Sequence, residues 1–165
     1  MKKIVMALLV ALLFIGCGSE PAKATETKLV IGKNLSDLKL KDQNGKLHKI
    51  DMQTKKLVFA FSKDIGHNCN EFFALKGKDY LKNNKVQFIA DLSSAPSIIR
   101  SMFILPGLKD FKHDVLIIDD NKMSANYKPT TNDDKIVVVN LNKQQILDIK
   151  YLNTTKELEK YINKQ

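Results

Sequence analysis

Two cysteines, Cys17 and Cys69, carry the most specific chemistry in this chain of 165 residues. Asn68 and Glu71 have the spacing of a helix N-cap and the third helical position, which predicts that a helix begins near Asn68. Cys69 would then lie in the first helical turn, where the positive end of the helix dipole favours a thiolate. The neighbouring His67 would strengthen this effect when protonated. The pattern therefore predicts Cys69 and His67 as candidate catalytic residues.

The thiol of Cys69 has two interpretations. A lone thiolate would form a mixed disulfide or be oxidised by peroxide to a sulfenic acid. A free cysteine is also a small apolar residue that proteins commonly bury in the core. The sequence favours the second interpretation, because a position near a helix start shifts the balance only modestly.

The N-terminus has the pattern of an export signal. Lys2 and Lys3 precede an apolar run at residues 4–15, which is too short to span a bilayer comfortably. The run ends in Phe14-Ile15-Gly16-Cys17, which resembles the lipobox of bacterial lipoproteins, with Phe14 in place of the usual leucine. The resemblance implies that residues 1–16 are a signal peptide and that Cys17 is acylated. Its implied partner is a lipid bilayer of the bacterial cell envelope, with the protein facing the periplasm.

The remaining chain divides into a tether and one domain. Residues 17–28 are rich in serine, proline, alanine, threonine and charge, which predicts a flexible tether. Residues 29–165 are long enough for one domain with a substantial core. If Cys17 carries lipid, Cys69 has no partner for an intramolecular disulfide.

Composition argues against several other classes. The formal charge is +9, but Arg100 is the only arginine and no recognition motif accompanies the lysines, so nucleic acid is not an expected partner. His48, His67 and His113 lack the spacing of metal ligands and are predicted to lie at the surface. No metal or other cofactor is expected. The segment Asp119-Asp120-Asn121-Lys122 is predicted to be a turn.

The hydrophobic pattern predicts an α/β domain with a mixed sheet. Asn44-Gly45 indicates a hairpin, and residues 140–143 are predicted to be the turn of a second one. Helices are expected from Asn68 to about residue 83, from Pro96 to Pro106-Gly107, and after the capping box at residues 154–157. The predicted core strands are residues 57–61, 86–90, 115–118, 136–139 and 146–151.

The order of these elements resembles the thioredoxin-like fold, a mixed sheet flanked by helices on both faces. Membrane-tethered thioredoxins carry a C-x-x-C pair after the central strand, and Gly66-His67-Asn68-Cys69 stands at that place. The first cysteine is therefore absent. Residues 132–135 occupy the position at which such enzymes have a cis-proline, which is absent as well.

A closer resemblance is to the YtfJ-like group of exported thioredoxin-like proteins. It spans residues 29–163 and rests on the order of several soft motifs. These are residues 86–91, Met102-Phe103, residues 115–120, residues 136–139 and Leu141-Asn142-Lys143. The resemblance implies a thioredoxin-like fold and an exported location. With the redox pair missing, the expected function is a non-catalytic binding or interaction module with an envelope protein as partner. The alternative is a monothiol redox protein that uses Cys69.

Overall fold

The computed structural model describes residues 27–164, which contain a seven-stranded mixed sheet. Its strands are β1 (Lys39–Asp42), β2 (Leu47–Lys49), β3 (Lys56–Ala60), β4 (Val86–Asp91), β5 (Leu116–Ile118), β6 (Ile136–Asn142) and β7 (Gln145–Leu152). They lie in the order β2-β1-β5-β4-β3-β6-β7. Strands β3, β4 and β5 are parallel, and every other pair is antiparallel.

The parallel centre of the sheet follows from its apolar runs. Val58 of β3 pairs with Phe88 of β4, and both side chains are fully buried. Strands that are covered on both faces read as continuous apolar segments rather than as alternating ones. The prediction of buried strands at residues 57–61 and 86–90 is confirmed within one residue at each end.

Both predicted hairpins are present. In the β1–β2 turn, Asp42 Oδ1 accepts hydrogen bonds from the amides of Asn44 and Lys46, and Gly45 has a positive φ of 82°. The β6–β7 turn is tighter than the predicted segment 140–143, because β6 continues to Asn142. Its two central residues, 143 and 144, both have positive φ, as hairpin turns of this length require.

The helices are α1 (Lys63–Lys76), α2 (Tyr80–Asn83), α3 (Ser97–Ile99), α4 (Leu105–Leu108), α5 (Asn121–Tyr127) and α6 (Thr155–Asn163). A π-helical turn, Arg100–Ile104, joins α3 to α4. Residues 97–108 therefore form one continuous crossover helix between β4 and β5. The prediction that this helix ends at Pro106-Gly107 is confirmed within one residue, since α4 ends at Leu108. Pro106 lies in the first turn of α4, and the wide π-turn before it accommodates a ring that would clash within a regular α-helix.

The predicted turn at residues 119–122 is wrong. Asp120 is the N-cap of α5, and its Oδ1 accepts a 2.8 Å hydrogen bond from the amide of Met123. Aspartate is favoured both in turns and at helix N-caps, so the residue type alone does not separate the two. The helix was missed because its seven residues are too few to show an apolar stripe.

Each face of the sheet carries its own apolar cluster. One face packs against α1, α2, α6 and the crossover helix, with Phe73, Phe88 and Leu158 at its centre. The other packs against α5 and the segment at residues 29–38, around Phe59 and Ile89. The predicted fold class, a thioredoxin-like mixed sheet flanked by helices on both faces, is confirmed. No helix within residues 27–164 is long and apolar enough to cross a bilayer.

Candidate functional site

Helix α1 begins earlier than the sequence predicted. Ser62 is its N-cap, with extended backbone and a side chain that accepts a 3.4 Å hydrogen bond from the amide of Ile65. Asp64 follows in the first turn, where a negative charge suits the helix dipole. The prediction that Asn68 caps this helix is wrong, because Asn68 lies exposed in its second turn. Gly66 favours a loop in the sequence, but in the structure this glycine lies within α1 and is helical.

The earlier start changes the surroundings of Cys69. Its side chain lies at the end of the second helical turn, beyond the first turn in which the helix dipole acts on a thiol. It is 0% exposed and belongs to the apolar cluster around Phe73 and Phe88. Burial raises the pKa of the Cys69 thiol to about 12. The group is therefore a neutral thiol at physiological pH.

His67, the other candidate catalytic residue, is exposed on the same helix. Residues two apart on an α-helix point to different sides, so the imidazole does not face the thiol of Cys69. The structure thus does not bring together the two residues that the sequence paired. The prediction that His67 lies at the surface is confirmed.

A cleft of about 340 Å³ opens at the C-terminal ends of β3 and β4, between α1 and the crossover helix. This edge is where open α/β sheets place their binding sites. Its apolar lining comes from Ala60, Ala90, Leu92, Ala95, Ile104, Leu108 and Phe111. Its polar lining comes from Ser62, Lys63, Gly66, His67, Asn70, Asp91 and Ser94. Cys69 does not line it, so the cleft has a position suited to chemistry but exposes no thiol of residues 27–164.

A buried polar network lies behind this cleft. His113 Nε2 is 3.2 Å from Asn70 Oδ1, and the Asn70 amide donates to the carbonyl of Gly66 at 3.0 Å. Gln43 donates to the carbonyl of His113 and accepts from the amide of Val115. Together these bonds connect α1, the β1–β2 turn and the start of β5. Hydrogen bonds of this kind allow polar side chains to be buried without a large penalty.

The surface position predicted for His113 is wrong, since only 3% of this residue is exposed. Burial lowers its pKa, which keeps the imidazole neutral, and the charge of Asp114 opposes this shift. The sequence offers one weak signal, an isolated histidine between Phe111 and Val115. Its hydrogen-bond partners are distant along the chain, so the network was not predictable from local pattern.

A different cluster could hold a metal ion. One ligand atom from each of Asp42, His48 and Asp114 lies within 4.8 Å of the others, at the N-terminal end of β5 and thus away from the cleft. His48 Nε2 is 2.7 Å from Asp42 Oδ2, so the surface position predicted for His48 becomes a half-buried hydrogen-bonded pair. Burial raises the pKa of Asp42, but hydrogen bonds from His48 and from the Asn44 and Lys46 amides outweigh it and lower the pKa. The hydrogen bond between His48 and Asp42 stabilises the β1–β2 turn, and this structural role explains why the two side chains lie together.

Comparisons with known proteins identify the fold. No family model matches the chain, and none of the curated proteins matches it. Among solved structures it is similar to the pneumococcal exposed lipoprotein thioredoxin from Streptococcus pneumoniae, with 11% identity, a TM-score of 0.51, and coverage of 78% of this chain and 98% of that one. A peroxiredoxin-like protein from Aquifex aeolicus gives 9% identity, a TM-score of 0.52, and coverage of 85% and 88%.

The thioredoxin domain of a thiol-disulfide oxidoreductase from Bacteroides vulgatus has 12% identity, a TM-score of 0.50, and coverage of 82% of this chain and 99% of that one. At such identities the likeness shows the fold alone. This chain therefore has a thioredoxin-like fold, shared with bacterial thioredoxin-like and peroxiredoxin-like proteins. The first turn of α1, residues 62–65, has no cysteine.

Proposed function

We propose that this chain is a lipid-anchored protein of the bacterial cell envelope whose thioredoxin-like domain is a non-catalytic binding module. One observation carries the proposal. The cleft at the ends of β3 and β4 is kept, while the only thiol of the described residues, Cys69, lies fully inside the core. A thioredoxin-like domain that has a cleft at the C-terminal ends of its central strands but no reactive thiol in that cleft is better suited to binding a partner than to redox catalysis.

The proposed address rests on the N-terminal sequence, which lies outside the described residues. Lys2, Lys3, the apolar run at residues 4–15 and the lipobox-like segment ending in Cys17 support export and acylation. A structural neighbour is an exposed lipoprotein, which is in keeping with this fold at a cell surface. We assign the chain to the YtfJ-like group on the order of the motifs within residues 86–143, as a member that faces the periplasm.

The lining of the cleft defines the chemistry of its partner. Its floor is apolar, from Ala60, Ala90 and Phe111, and Lys63 and His67 stand at its rim. Pockets that combine an apolar lining with a few polar groups bind a matching apolar group and use the polar ones for orientation. The partner that fits is an envelope protein segment with an apolar side chain next to an acidic one.

The alternative function is a monothiol redox protein that uses Cys69. It requires the thiol to meet peroxide or a disulfide as a thiolate. Complete burial and a pKa of about 12 weigh against both requirements, because the reactive form is scarce and no reactant reaches it. An enzyme of this kind would act only from a locally opened state.

The binding proposal is tested by filling the cleft in the full-length chain. Ser94 lines the cleft and is exposed, so Ser94→benzoylphenylalanine places a photoreactive group at its mouth. Irradiation in the bacterial envelope is expected to yield a discrete protein adduct that Ala95→Phe abolishes. Ala74→Phe, an exposed position on α1 outside the cleft, is the matched control and should leave the adduct unchanged. An adduct that survives Ala95→Phe, or the absence of any adduct, would refute the binding function.

A further inference from the structure

The crossover helix exposes an apolar face that the domain does not use. Ile98, Met102 and Phe103 are 65%, 64% and 65% exposed, and Ile99 is 42% exposed. Residues four apart on a helix are neighbours, so the pairs 98/102 and 99/103 form one continuous stripe. We call these four side chains the apolar ridge. Contiguous exposed apolar side chains of this kind mark interaction surfaces.

The opposite side of the same helix is occupied by the fold itself. Leu108 is buried, and Ile104 and Leu105 are packed against the apolar cluster of that sheet face. The helix is therefore fixed in place, and the ridge stands outward on a rigid support. A partner that covers the ridge needs to be broad and apolar.

Cationic side chains stand beside the ridge. The groove between the crossover helix and β1 is lined by Arg100 together with the exposed Lys39 and Lys41. Asp42 and Asp119 also line this groove, but Asp42 is buried and bound to His48, and lysines with arginine outnumber acidic residues by 27 to 18 in the whole chain. Exposed apolar side chains next to lysine and arginine favour contact with a membrane interface, because the apolar groups enter it and the cations attract anionic headgroups.

The length of the N-terminal segment limits how far this surface can leave a bilayer. If Cys17 is acylated, as proposed above, ten residues connect the lipid to Thr27, the first described residue. They reach at most about 36 Å however they are arranged. A domain of this size has a radius of gyration of about 14 Å, so the domain stays within roughly its own width of the headgroups. The nearest broad apolar partner is thus the membrane itself.

We propose that the apolar ridge docks into the interface of the bilayer to which Cys17 anchors the chain. Ile98, Ile99, Met102 and Phe103 enter the boundary between headgroups and acyl chains, and Lys39 and Lys41 lie against anionic headgroups. This inference rests on the proposed anchor and adds an orientation to it. Because the crossover helix also lines the cleft, docking holds the cleft at the membrane surface.

The test measures the depth of single side chains in the full-length acylated chain. The protein is reconstituted in vesicles of phosphatidylethanolamine and phosphatidylglycerol with brominated acyl chains, and an environment-sensitive fluorophore is attached to Met102→Cys. Leu75→Cys is the matched control, because Leu75 is apolar and 86% exposed but lies on α1 away from the ridge. The buried thiol of Cys69 is not expected to take the label. Bromine quenching at position 102 should exceed that at position 75 several-fold.

The second arm tests the headgroup contact. Replacing phosphatidylglycerol by phosphatidylcholine, or introducing Lys39→Ala with Lys41→Ala, should reduce quenching at position 102 without releasing the protein from the vesicles. Equal quenching at positions 102 and 75 in protein that floats with the vesicles would overturn the docking and leave the anchor standing. Protein that does not float would overturn the anchor and the docking with it. A concentration-dependent blue shift at position 102 without vesicles would instead identify a second copy of the chain as the occupant.

Discussion

At the scale of single residues, burial decides which groups can react. Cys69 is fully enclosed and its pKa is raised to about 12, whereas His67 is exposed and turned away from it. His113 is the buried titratable group that holds α1 to the start of β5 through Asn70. The polar groups of the interior are therefore structural, and the cleft is lined by polar groups that include the exposed Lys63, His67 and Ser94.

The buried His113 predicts a pH dependence of stability. Burial lowers the pKa of His113 below its ordinary value of 6.5, so the unfolded chain takes up a proton before the folded chain does. Stability is then complete above pH 6.5 and falls as the pH drops toward the folded-state pKa, by at most about 1.4 kcal/mol per pH unit. Urea unfolding of the native chain and of His113→Gln, measured between about pH 7 and 5, should give a shallower slope for the variant.

The control for this experiment is His67→Gln, which changes an exposed histidine on α1. Its slope should match that of the native chain even if its absolute stability differs slightly. A slope in His113→Gln as steep as in the native chain would mean that His113 does not cause the pH dependence.

At the scale of elements, the start of α1 determines what the cleft contains. Because Ser62 caps the helix, Ser62, Lys63 and Gly66 line the cleft and Cys69 points into the core. Had the helix begun at Asn68, the thiol would have occupied the first turn beside the cleft. A shift of six residues in the position of the N-cap thus decides whether the thiol lies beside the cleft or in the core.

Gly66 tests this boundary. It has helical conformation, and a Cβ added there would meet nothing within 4 Å, so Gly66→Ala should stabilise the chain by about 0.5–1 kcal/mol. Gly77, the C-cap of the same helix, is the matched control, because its φ of +86° makes Gly77→Ala destabilising by roughly 1 kcal/mol. Both are measured by urea unfolding. A destabilising Gly66→Ala would indicate that residues 63–67 are not helical.

The sequence predicted much of the element scale, and its errors have physical causes. The buried strands, both hairpins and the Thr154 cap of α6 follow from apolar runs, turn residues and a capping box. The start of α1 was misplaced because Gly66 and the polar residues around it give no apolar stripe. The end of the crossover helix was predicted within one residue, but the π-turn inside it has no local sequence signature.

The candidate site was less predictable than the fold. The sequence identified the edge of the sheet after β3, since sites in such sheets gather at the ends of central strands. It did not indicate that Cys69 is enclosed, because enclosure depends on side chains from β4, β5 and α6 that are distant in sequence. The network of Gln43, Asn70 and His113 was missed for the same reason.

At the scale of the whole molecule, the proposed lipid anchor makes the membrane association of the protein depend on Cys17. Cys17→Ala should release the full-length protein from the membrane fraction of a bacterial cell, since one acylated cysteine is the proposed attachment. The measurement is fractionation with metabolic labelling by a fatty acid. Lys2→Ala is the control, because it leaves the cysteine in place and should retain the label. Persistent labelling in Cys17→Ala would show that the lipid is attached elsewhere.

The domain as a whole is a thioredoxin-like scaffold whose cleft has no reactive thiol. The direct measurement is the rate at which Cys69 reacts with a model disulfide in the native full-length protein. Ser62→Cys is the matched control, because it places a thiol at the helix N-cap in the cleft.

With a pKa of about 12, only about 10⁻⁴ of the Cys69 thiol is ionised at pH 8, so we expect a rate at least about 10³ lower than that of Ser62→Cys. Cys69 should react at the rate of a free thiol only after unfolding in urea. If the native thiol of Cys69 reacts as fast as that of Ser62→Cys, the domain has an accessible redox group and the account is contradicted.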